Sequence, residues 1–153
     1  STRAIQRKKK IMALKFSQVR GAIASKVSEL TGFQETKHSP DYFGRTENTV
    51  AHKAFGVRLA ASSAMEERQR RAVGVYVSTP VQVLFSYRFR PLDIYPTDYD
   101  LAMDTEEDVI SKVLEVYSSN NEFTIRYTGS TREVTESQEY VIITLDFITL
   151  HTI

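Results

Sequence analysis

The chain contains no cysteine. That excludes disulfide stapling and every thiolate metal site, and it fits assembly in a reducing cytoplasm. Its longest apolar runs are only a few residues, far short of the roughly 20 that a bilayer-crossing helix needs. No apolar stretch follows the basic start, so a secretory signal is not expected. Also missing are a phosphate loop, a dinucleotide glycine motif, an HExxH pair and a serine in a nucleophile-elbow context. His38, His52 and His151 are scattered with no carboxylate at ligand spacing, and they read as ordinary polar or half-buried side chains. Asp98, Asp100 and Asp104 resemble paired carboxylates, but they open an acid-rich helix, where capping and solvation account for them. No residues therefore stand out for catalysis, for a cofactor or for a metal. The expectation is an assembly subunit that touches other proteins.

What is present is ordinary for a globular domain. The chain has 153 residues, 41% hydrophobic and 25% charged, enough for one domain with a proper core. The net charge of +1 conceals an uneven distribution. Residues 1–11 hold Arg3, Arg7, Lys8, Lys9 and Lys10 and no acid, a charge of +5. The rest then has 15 cations against 19 acids, a charge of −4. Residues 1–12 read as a flexible basic extension and 13–153 as a single domain. Such an arm suits nucleic acid or an acidic protein surface, or is simply solvated. Met12-Ala13-Leu14 also reads like a start, which would make the preceding residues an upstream addition.

Periodicity sketches the elements. Val19, Ala22, Ile23, Val27 and Leu30 recur at helical spacing over about Phe16 to Leu30, with Ser17 as N-cap and Gly32 as the left-handed stop. Residues 33–53 form a long polar connection punctuated by Pro40 and Gly44. Long connections of this kind are commonly functional, and Phe33, Tyr42 and Phe43 could anchor it on a neighbour or on its own domain. A strand follows over Ala54–Ala61. Residues 72–90 alternate as one long strand with a bulge near Pro80, or as two strands forming a hairpin. Asp98–Tyr117 is the second helix, with Ala102, Val109, Ile110, Val113, Leu114 and Tyr117 inward. Glu122–Thr128 is a strand, TGSTREVTES a polar loop, and Gln138–Thr152 a final strand that is central or covered on both faces. The sum is an α+β fold, a single antiparallel or mixed sheet with two helices packed on one face.

Several features call for partners. Ser62–Arg71 is an exposed loop in which Glu66 and Glu67 stand beside Arg68, Arg70 and Arg71, and mixed charge suits a protein interface. Arg88 and Arg90 sit on a strand, opposite Tyr87 and Phe89. The acidic opening of the second helix, Asp98, Asp100 and Asp104 included, offers a complementary surface for the arginines.

The element order together with ERQRR at 67–71, YRFRP at 87–91 and DYDLAMDTEEDVISKVL at 98–114 resembles the tail terminator (tail completion) proteins of long-tailed bacteriophages, over about residues 13–153. The resemblance implies a hexameric ring that caps the tail tube, stops its growth and joins tail to head. Its partners would be copies of itself, the tail tube protein and head–tail connector or neck proteins, with DNA close by in the lumen and no membrane. It would be assembled in the host bacterial cytoplasm, become part of the virion and need no cofactor. Another neck protein is the alternative within that class. A small nucleic-acid-binding domain or a small enzyme is the alternative outside it.

Overall fold

The computed structural model describes residues 14–37, 51–64, 76–90, 95–119 and 123–153. The elements run α1 (Phe16–Ser28), β1 (Gln34–Glu35), β2 (Ala54–Leu59), β3 (Ser63–Ala64), β4 (Tyr76–Arg88), α2 (Tyr95–Ser119), β5 (Thr124–Val134) and β6 (Tyr140–Thr152). The segment 1–12, Tyr42, Phe43, Glu66, Glu67, Arg68, Arg70 and Arg71 lie outside the described residues. The strands form one mixed sheet in the order β1-β2-β4-β6-β5, with only β1–β2 parallel and β3 pairing β4 beyond the end of β2. This is the expected α+β architecture of one sheet and two helices.

Both helices bury their stripes on the same face of the sheet. Val19, Ile23 and Val27 of α1 and Ala102, Val109, Val113 and Val116 of α2 meet Val81, Val83 and Phe85 of β4 and Val141, Ile143, Leu145 and Phe147 of β6, all at most 1% exposed. Each such side chain contributes about 1.5–3 kcal/mol by leaving water. Phe33 belongs to this core, its ring 5.6 Å from Phe85 and 6.3 Å from Phe55, so the start of the 33–53 connection is anchored on its own domain. Gly32 is left-handed at φ +83 in the turn that follows α1, whose C-cap is Glu29 rather than a glycine.

Five expectations need correcting. The N-cap of α1 is Lys15, not Ser17; the Gln18 side chain accepts the Lys15 amide at 2.8 Å, and Leu14 is fixed to Thr152 O at 2.7 Å, which sets where the helix begins. β4 is one strand with no bulge at Pro80, which stays in register opposite Ile148. The Pro80 carbonyl accepts from Ala60 N at 2.8 Å, so it faces the gap between β2 and β3. In an antiparallel strand a residue's N and O point to the same side, so the missing N–H faces that gap too and the ladder to β6 is unbroken. α2 starts at Tyr95, because a proline such as Pro96 is tolerated in a first turn. Its inward face uses Val116, leaving Leu114 37% and Tyr117 49% exposed. Finally, β5 continues to Val134 through a bulge between Tyr127 and Gly129, where a polar loop was expected. β6 is central, between β4 and β5, and its second face is half-buried with no described helix over it.

Candidate interaction surface

The end of β4 and the start of α2 are bound into one joint. β4 delivers Arg90 just past its last paired residue, and the first turns of α2 carry Asp98. The Arg90 amide and Nε donate to Asp98 Oδ2 at 3.0 and 3.1 Å, and Nη2 reaches Oδ1 at 3.5 Å. These side-chain bonds, helped by the amide and the arginine charge, hold the Asp98 carboxyl below its usual range against the opposing effect of burial. Phe89 lies edge-on to Tyr99 at 6.2 Å, and Tyr99 stacks at 5.7 Å against Tyr95, one helical turn earlier. The sequence candidates Arg90 and Asp98 are therefore partners within one chain. Arg88, Asp100 and Asp104 are exposed around them.

Beside this joint runs an open groove of about 540 Å³, lined by Phe89, Tyr95 and Tyr99 on one side and by Val134, Glu136 and Gln138 of the β5–β6 turn on the other. Phe89 forms its floor, 4% exposed, while Tyr95 and Val134 are 49% and 45% exposed. Its floor and one side are thus aromatic, and its other side carries a carboxylate.

Three polar constellations escaped the sequence reading. Under α2, Glu106 accepts Arg132 Nε at 2.6 Å and Nη2 at 2.7 Å, and Ser130 Oγ at 2.9 Å. Ser130 in turn bonds Tyr127 Oη at 2.6 Å. The Glu106 bonds hold Arg132 all the more firmly protonated. On the other sheet face, Arg58 Nε donates to Gln82 Oε1 at 2.5 Å and Gln82 Nε2 to Asp146 Oδ1 at 2.9 Å, a ladder across three strands. At the far end of the sheet, His151 is buried with Phe16 edge-on at 5.4 Å and Thr79 Oγ1 at 3.4 Å from Nε2; Thr79 also bonds Ser62 Oγ at 2.9 Å. Burial holds His151 below its ordinary pKa, with nearby Leu14 and Thr152 backbone opposing in part. His52 lies at the opposite end of the sheet, its Nδ1 accepting the Arg88 amide at 3.1 Å. Among the described residues no three His, Asp or Glu side chains converge on a point. No signal short of the strand register would have revealed the ladder; a glutamate on the inward stripe of α2 was the readable sign of the Glu106 cluster.

No family model matches the chain, and no curated protein matches it in sequence.

Proposed function

We propose that this chain is a non-enzymatic virion subunit, a tail completion protein that forms a ring on the tail tube of a long-tailed phage and joins tail to head. The observation that carries the reading is the Arg90–Asp98 joint. The resemblance rests most strongly on residues 68–71, on YRFRP and on the helix opened by DYD, and the last two meet there through a charge pair and an aromatic pair. The layering agrees with the same reading: one sheet backed by two helices gives a rigid slab, and α2 presents Asp100 and Asp104 to solvent beside the groove. In a closed ring each subunit meets its neighbours through two different patches, so an acidic patch on one side needs a basic patch on the other. Arg68, Arg70, Arg71 and the basic segment 1–11 provide such charge in this sequence.

Imaging the purified protein tests the proposal. The expected particle is a six-fold ring with a solution mass about six times the 17.5 kDa of one chain. A monomer that binds DNA without sequence preference and releases it steeply with salt would instead identify a nucleic-acid-binding module.

A further inference from the structure

The groove beside the joint has a chemistry that the joint itself does not use. Tyr95 and Tyr99 line it beside Phe89, and Glu136 lines it from the β5–β6 turn. Two cations near it are paired elsewhere: Arg90 with Asp98 at 3.1 Å and Arg132 with Glu106 at 2.6 Å. Aromatic faces attract cations, and a carboxylate opposite adds a charge-assisted hydrogen bond. The groove therefore suits an ammonium or guanidinium on a flexible stem and disfavours an anion.

The chain carries such groups in Arg7, Lys8, Lys9 and Lys10. Where that segment joins the fold is fixed by Leu14, whose amide donates to Thr152 O at 2.7 Å. Thr152 ends β6, whereas the groove flanks the start of β6, where Phe89 N donates to Glu139 O at 2.9 Å. Twelve steps along a strand at about 3.3 Å each separate the two ends by about 40 Å. From Leu14 back to Arg7 the chain extends at most about 25 Å. Residues 7–10 of one copy thus cannot reach the groove of the same copy, so their docking there requires a second copy.

We propose that this groove receives the side chains of Arg7–Lys10 from a second copy of the chain, one cation seated between the Tyr95–Tyr99 pair and Glu136. The contact is head-to-tail, since the arm leaves one end of the sheet and docks at the other, and it gives the −4 body and the +5 arm a shared use. The proposal rests on the ring reading and deepens it by naming one contact between neighbours.

The absence of native cysteine makes the test clean. Full-length Lys9→Cys and Val134→Cys proteins are mixed and oxidised, and the linked peptides are identified by mass. A disulfide joining position 9 of one chain to position 134 of another is expected, falling about tenfold when the second protein also carries Glu136→Lys or Tyr95→Ala. In a chain bearing both cysteines, multimers are expected. A cyclised monomer, or a yield indifferent to Glu136→Lys and Tyr95→Ala, overturns the docking. Imaging the same samples separates the two ideas. Rings without the link reject the arm contact alone; the link in particles that are not rings rejects the ring alone; neither rings nor link rejects both.

Discussion

Removing the guanidinium that partners Glu106 provides the sharpest quantitative check on the packing of α2. The Glu106 side chain is 5% exposed and that of Arg132 is 42% exposed. Breaking a buried pair from one side typically costs about 3–5 kcal/mol, because the remaining charge is left uncompensated. Here the cation is partly in water, and truncating it lets solvent approach the carboxylate, so the lower part of that range applies. We expect Arg132→Ala to lose about 3 kcal/mol, well above the about 0–1 kcal/mol of a surface ion pair. Replacing both partners, as in Glu106→Met with Arg132→Met, should restore most of the loss, because no unpaired charge then remains. Urea denaturation of the three proteins reads all of this. An Arg132→Ala midpoint equal to the parent's would refute the buried-carboxylate argument.

His151, whose pKa burial lowers, binds fewer protons folded than unfolded below about pH 6.5. Its contribution to stability is therefore complete above that pH and declines as pH falls toward the folded value, and His151→Gln should flatten the parent's slope of urea midpoint between pH 7.5 and 5. Val113→Ala should cost about 2 kcal/mol and Leu114→Ala less than about 1 kcal/mol, because only the first is buried; equal losses would mean that the face of α2 is misplaced. Gly32→Ala should cost about 1–2 kcal/mol in thermal unfolding, since its backbone is left-handed and an added Cβ would stand 3.3 Å from Lys53 Cδ. A neutral outcome there would show that α1 can end without that turn.

Elements that bury apolar side chains on a regular period were legible in the sequence. α1, β2, β4 and β6 all announced themselves through valine, isoleucine and phenylalanine at spacings of two or of three and four. β5 was only half visible, because its second half turns Ser130 and Arg132 toward a buried glutamate and so has no apolar alternation to read. Leu114 looked inward because it lies next to Val113 and is the larger side chain, yet a long helix rotates its stripe, and Val116 holds the inner position. Pro80 looked like a break because sequence does not say which side of a strand faces a gap. The groove was not legible either. Its residues come from the end of β4, the start of α2 and the β5–β6 turn, and only the fold brings Tyr95 and Glu136 together.

The placement of β6 has a consequence for synthesis. It is the last described element and also a central one, with neighbours on both sides. Its pairing with β4 spans Tyr76↔Thr152 to Arg88↔Tyr140, so most of the chain must be translated before those contacts can form. Until residues 140–152 clear the ribosome, β4 and β5 lack their shared partner, and β4 has only β2 and β3 as strand neighbours. Nascent chains should therefore remain protease-sensitive and dependent on holding chaperones until residues 140–152 have emerged, then gain resistance in a single step.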